Sequence, residues 1–124
     1  DIRPYIFDMP KVMAAADLII CRSGASTLGE LTLMGKPAIL VPSPYVTNNH
    51  QEKNAMVLGE RGGAVVIRES ECSGEILFRT VSDILSTPGR LESMSARMKE
   101  LSNPDATDKI TETILELAEK YGKL

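Results

Sequence analysis

The stretch Leu18-Ile19-Ile20-Cys21-Arg22-Ser23-Gly24-Ala25-Ser26-Thr27-Leu28-Gly29-Glu30 decides how this chain is built. Its apolar residues give way to a turn of small residues, and the turn runs straight into a segment of helical character. A short apolar run without alternation marks a strand covered on both faces, and a strand that passes at once into a helix belongs to a βαβ unit. Working outward, strands are expected at Tyr5-Ile6-Phe7, Asp17–Cys21, Pro37–Val41 and Ala64–Ile67. Helices fit Asp8–Ala16, Ala25–Met34 and about His50–Arg61, the second ending at Gly35 with Pro37 just beyond. Residues 1–67 therefore predict an α/β fold, a Rossmann-like parallel sheet with helices on both faces.

Beyond Ile67 the strand signal stops, and residues 68–124 read as a helical tail. Ser73 can cap a helix carrying Ile76, Leu77, Val81, Ile84 and Leu85, which Thr87-Pro88-Gly89 breaks. Leu91, Met94, Met98 and Leu101 recur at helical spacing. Asn103-Pro104 supplies a cap and a first-turn proline for a last helix, whose stripe is Ala106, Ile110, Ile114, Leu117 and Tyr121. Stripes of this kind are expected to pack on the sheet.

Composition narrows the function. The chain has 124 residues, is 43% hydrophobic and 25% charged, and carries a net charge of −3, as an ordinary globular domain does. Residues 1–67 hold 6 basic and 6 acidic side chains and residues 68–124 hold 8 and 11, so no segment has the electropositive footprint of a nucleic-acid binder. No apolar run approaches the ~20 residues that cross a bilayer. Cys21 and Cys72 lack metal-ligand spacing and the density of a disulfide scaffold, and read as reduced thiols of a cytosolic protein. The first residue is Asp1 rather than Met, which reads as a piece of something longer.

The chemistry concentrates where the chain leaves two strands. After Cys21, Gly24 presents no Cβ to hold a ligand off the backbone, and the N–H groups of Ala25 through Thr27 would open at a positive helix terminus. This is an anion site suited to a phosphate or diphosphate, although it matches neither the P-loop nor the dinucleotide fingerprint. Glu30 has two readings. Thr27-x-x-Glu30 fits a capping box, while a carboxylate one turn into a phosphate-binding helix can also accept hydrogen bonds from ribose hydroxyls. The second segment, Pro42 through Asn54, offers the amides of Asn48, Asn49, Gln51 and Asn54, which suit sugar hydroxyls because they donate and accept; an ordinary loop with a helix cap reads equally well. His50 is the lone histidine, without a second ligand for a metal.

Ala16 through Glu30, Gly35-Lys36-Pro37-Ala38-Ile39-Leu40-Val41-Pro42 and His50-Gln51-x-x-Asn54-Ala55 together resemble the C-terminal domain of the MurG family, glycosyltransferase family 28. The resemblance runs over nearly the whole chain, from Asp8-Met9 to Pro104-Asp105-Ala106-Thr107. It implies half of a GT-B fold, and it makes residues 1–124 a partial C-terminal UDP-sugar-binding domain without its first strands and their glycine-rich loop. The segment at Tyr5–Phe7 would then be the third strand of a 3-2-1-4-5-6 sheet.

The donor implied is UDP-GlcNAc, and the acceptor is undecaprenyl-diphosphate-muramyl-pentapeptide, held by an N-terminal domain that this chain lacks. By the same resemblance the Ile6 backbone and Met9 lie against uracil, Arg22, Ser23, Gly24, Ala25, Ser26 and Thr27 frame the diphosphate, and Leu28 and Gly29 complete the binding segment. Glu30 takes the ribose hydroxyls, and His50, Gln51 and Asn54 face GlcNAc. No catalytic residue falls in this segment, no cofactor or metal is required, and the segment alone is inactive. The full-length enzyme is cytoplasmic and peripheral on the inner face of the membrane. Unpaired strand edges would allow a homodimer. Two other readings stand beside this one: a non-catalytic donor-binding subunit that needs a membrane partner, and a related glycolipid glycosyltransferase using another UDP-hexose.

Overall fold

A computed structural model describes residues 1–122. The elements follow in the order α1 (Met9–Ala15), β1 (Ile19–Cys21), α2 (Ala25–Met34), β2 (Ala38–Leu40), a 3-10 turn at Thr47–Asn49, α3 (His50–Glu60), β3 (Ala64–Val66), a second 3-10 turn at Glu69–Glu71, α4 (Gly74–Ser86), α5 (Arg90–Glu100) and α6 (Ala106–Lys120). The three strands form one parallel sheet in the order β1-β2-β3, with Ile20 opposite Ile39 and Ile39 opposite Val65. The α/β expectation holds, and beyond β3 the described residues form the second 3-10 turn and helices α4, α5 and α6.

The sheet is buried on both faces at its centre because strand side chains alternate sides. Ala38 and Leu40 join a core formed with Met13, Leu28, Leu31, Ala55, Leu58 and Met98. Ile39 points the other way, to Ile67, Ile84 and Met94. Helices α2 and α3 thus cover one face, α4 covers the other, and α5 reaches both cores through Met94 and Met98. Local signals set the ends of these helices as expected. Gly35 closes α2 in the left-handed conformation at φ 63°, and the Ser73 hydroxyl opens α4 by accepting from the Ile76 N–H at 3.2 Å.

Three expectations are corrected. Tyr5-Ile6-Phe7 is not a strand: it lies outside the sheet, with the Tyr5 and Phe7 rings edge to face at 4.9 Å and both side chains exposed. Strand-forming residues make a strand only beside a neighbour's ladder, and none of the described strands runs there. The stripe of α6 does not pack on the sheet. Ile110, Ile114, Leu117 and Tyr121 are 61%, 59%, 49% and 66% exposed, and only Ala106 is half-buried, since the other helices already occupy both faces. Asn103-Pro104 precedes α6 instead of opening it. The helix begins at Ala106 after Asp105, and the Asn103 contribution is a carbonyl that accepts from the Ala106 N–H.

Candidate functional site

Parallel sheets bind ligands at the carboxyl ends of their strands. Here that edge is made by the residues after Cys21, Leu40 and Val66. A larger cavity of about 400 Å³ opens at the opposite end, among Asp17, Lys36 and Lys99, where βαβ architecture places no ligand loops.

Gly24 is the N-cap of α2, at φ −65° and ψ 145°. Its conformation is open to any residue, so it is not a positive-φ glycine. What it provides is space, since a Cβ built there meets nothing within 4 Å. The first N–H of α2 with a helical partner is that of Leu28, which donates to the Gly24 carbonyl at 3.0 Å. The amides of Ala25, Ser26 and Thr27 therefore stand at the open positive end of a ten-residue helix. Ser26 and Ala25 are exposed, whereas the Leu28 side chain belongs to the core and its amide is used, so Leu28 supports the site by packing alone.

The capping-box reading of Glu30 does not survive. Because the helix starts at Ala25, Thr27 already lies in its first turn and has no cap role. The Glu30 side chain is exposed and makes no hydrogen bond or ion pair with the described residues.

Ser23 and Arg22 are differently placed. Ser23 is completely buried, and its hydroxyl donates to the Gln51 carbonyl at 2.7 Å. Arg22 reaches across the strand ends, donating to the Val41 carbonyl at 3.2 Å and pairing with Glu69 at 2.7 Å. Both act within the protein as built, tying the loop after β1 to its neighbours. The other Glu69 carboxylate oxygen is buried without a partner among the described residues.

The second loop is held by two consecutive left-handed residues, Asn48 at φ 56° and Asn49 at φ 52°. Asparagine tolerates this conformation better than other non-glycine residues, and the pair turns the chain sharply into α3. The turn brings His50 and Gln51 to the start of that helix, on the sheet edge that also bears the start of α2. The His50 Nδ1 lies 2.7 Å from the Thr47 carbonyl and donates to it, which leaves Nε2 outward as an acceptor in the neutral ring. The Gln51 Oε1 accepts from the Ser43 N–H at 2.9 Å, so its Nε2 donors face away from that bond. Asn54 lies one turn further along, half-buried.

Beside this edge is a cavity of about 310 Å³, lined by Pro42, Pro44, Tyr45, Asn49, Glu52, Arg68, Glu69 and Ser70. Its wall holds a network that sequence reasoning missed. Asn49 donates to Glu52 at 2.8 Å and Arg68 pairs with the same carboxylate at 2.8 Å; these two contacts, in that order, hold the Glu52 carboxyl below the usual range. Burial pushes the Cys21 thiol up. Ile6 is half-buried and Met9 is 43% exposed, and neither side chain takes part in these bonds. Among the described residues no cluster of three or more metal-ligating side chains occurs, and no helix is long and apolar enough to cross a membrane.

A short parallel sheet covered on both faces, with a glycine-led helix start and an amide-bearing loop at one edge, defines an α/β domain of Rossmann-like type. The chain belongs to glycosyltransferase family 28, whose C-terminal domain matches residues 1–110. Among its relatives is the UDP-N-acetylglucosamine--N-acetylmuramyl-(pentapeptide) pyrophosphoryl-undecaprenol N-acetylglucosamine transferase of Halalkalibacterium halodurans, 48% identical over 94% of this chain and 32% of the relative. The transferase of the same name from Listeria monocytogenes is 46% identical over 94% of this chain and 32% of its own length. The crystal structure of Acinetobacter baumannii MurG superposes with a TM-score of 0.86 at 33% identity, covering 94% of this chain and 35% of that one. Spinosyn forosaminyltransferase SpnP, at 15% identity and a TM-score of 0.72 over 90% of this chain and 28% of its own, shares the fold. The chain spans about a third of the length of the curated relatives it matches.

Proposed function

We propose that this domain is the donor half of an inverting glycosyltransferase that moves GlcNAc from UDP-GlcNAc to a lipid-linked muramyl-pentapeptide. The observation that carries the reading is the start of α2, where three amides without partners among the described residues and an uncrowded glycine sit on one sheet edge with the start of α3. In this assignment the amides of Ala25, Ser26 and Thr27 bind the diphosphate, and Glu30 accepts from the ribose hydroxyls. His50, Gln51 and Asn54 face the sugar, and Ile6 and Met9 border the uracil. The acceptor hydroxyl attacks the anomeric carbon of GlcNAc, the bond to the diphosphate breaks, and the positive end of α2 stabilises the charge gathering on departing UDP. Acceptor binding and the general base lie in the part of the enzyme that corresponds to the remaining two thirds of the relatives, where peripheral attachment to the inner face of the membrane also belongs.

Titration calorimetry of this chain tests the donor half. UDP and UDP-GlcNAc bind weakly and a radiolabelled transfer assay stays blank; absence of UDP binding, or transfer by the chain alone, overturns the reading.

Glu30→Ala separates the ribose contact from the rest. UDP affinity falls about ten- to hundredfold, the equivalent of a hydrogen bond to a charged group at ~1.5–3 kcal/mol. The affinity for 2′-deoxyuridine diphosphate falls less, because that sugar offers one hydroxyl fewer. Thermal stability stays nearly constant, since the carboxylate has no partner among the described residues to lose. A drop in stability with ligand affinities unchanged would mean that Glu30 serves the fold.

A further inference from the structure

We infer that Ser23 is a positioning residue that locks the diphosphate-binding end of α2 to the sugar-facing end of α3, and that it does not itself touch the donor. The inference rests on the donor-site reading above and deepens it. Ser23 follows β1 and immediately precedes the Gly24 cap, in the middle of the expected diphosphate frame, yet it is completely inaccessible. Its hydroxyl instead donates to the main-chain carbonyl of Gln51 at 2.7 Å, across 28 residues of sequence.

Gln51 is the joint of this arrangement. As the second residue of α3 it carries its carbonyl in the first turn, while its side-chain Oε1 accepts the Ser43 N–H at 2.9 Å. One residue thus joins the loop after β1 through its main chain and the loop after β2 through its side chain. The Nε2 donors remain for a ligand. The next residue along the first loop is the cap of α2, and the residue before Gln51 is His50, so the Ser23 bond directly joins the start of α2 to the start of α3. Without it, α2 keeps its amides, because helix geometry alone places them. What becomes loose is the position of α3 relative to α2.

The expected signature is a change in discrimination. In Ser23→Ala, UDP affinity changes less than about twofold, while UDP-GlcNAc affinity falls roughly three- to tenfold, the range of one buried neutral hydrogen bond. Ser23→Thr, which retains the hydroxyl, restores the unaltered ratio of the two affinities. Amide hydrogen exchange of the unliganded chain supplies a readout without ligand: the first turn of α3 exchanges faster in Ser23→Ala while the first turn of α2 does not. If Ser23→Ala fails to fold, Ser23→Cys fills the same place with a much weaker donor and gives the same ratio shift. Equal loss of both ligands would make Ser23 a diphosphate contact, and no change in either would make the bond idle; both results overturn the inference while leaving the donor-site reading in place. Failure of the unaltered chain to bind UDP removes that reading, and this inference with it.

Discussion

Replacing Gly24 by valine abolishes UDP binding and leaves the fold intact. The backbone at Gly24 is extended and a Cβ there meets nothing, so the β-branched residue enters without a clash inside the protein. The cost to the helix is that of a poor N-cap, about 1 kcal/mol. The cost to the ligand is greater, because two methyl groups stand in front of the amides of Ala25 through Thr27 and hold phosphate oxygens away from them. Loss of two charge-assisted hydrogen bonds at ~1.5–3 kcal/mol each corresponds to roughly a hundredfold or more in affinity. Uridine, which lacks the diphosphate, keeps its affinity within about twofold. Calorimetry with both ligands measures the contrast. Equal losses, or normal UDP binding, would place the phosphates elsewhere.

Met98→Ala produces a large loss of stability. Met98 is fully buried on α5 and packs into the core that includes Leu31, Ala38, Leu58 and Ala64. Truncating such a side chain costs ~2–5 kcal/mol, a large share of the ~5–15 kcal/mol that holds a domain together. Urea unfolding shows a lower midpoint with an unchanged slope. The neighbouring Gly63 makes the prediction sharper. A Cβ on Gly63 would lie 2.8 Å from the Met98 Sδ and 2.9 Å from its Cγ. Gly63→Ala alone therefore destabilises through overpacking, whereas in the Met98→Ala background it fills part of the vacated space. Additive losses in the double variant would show that the two residues do not share that volume.

The sequence by itself was enough for the α/β fold, the two loops at the strand ends and the family. These signals are local. Apolar runs at Ile19–Cys21 and Ala38–Leu40, the Gly35 stop and the Ser73 cap each act through neighbours in the chain, so each is visible in a line of residues. The segment from Gly24 to Glu30 is legible for the same reason, since a helix start displays its own amides. Tertiary structure decided the rest. Tyr5-Ile6-Phe7 has strand-forming residues, but a ladder needs a partner that a propensity does not supply. The stripe of α6 is correctly periodic, yet periodicity states only that one face is apolar; the sheet it was expected to cover is occupied by α2, α3, α4 and α5. The capping box at Thr27 and Glu30 dissolved once the helix start at Ala25 put Thr27 inside the first turn. Ser23 and Arg22 stand beside Gly24, and their partners within the protein, Gln51 and Glu69, lie 28 and 47 residues away. Sheet topology brings those partners to the same edge, and a hydrogen bond closed by topology leaves no periodic or local trace in the sequence.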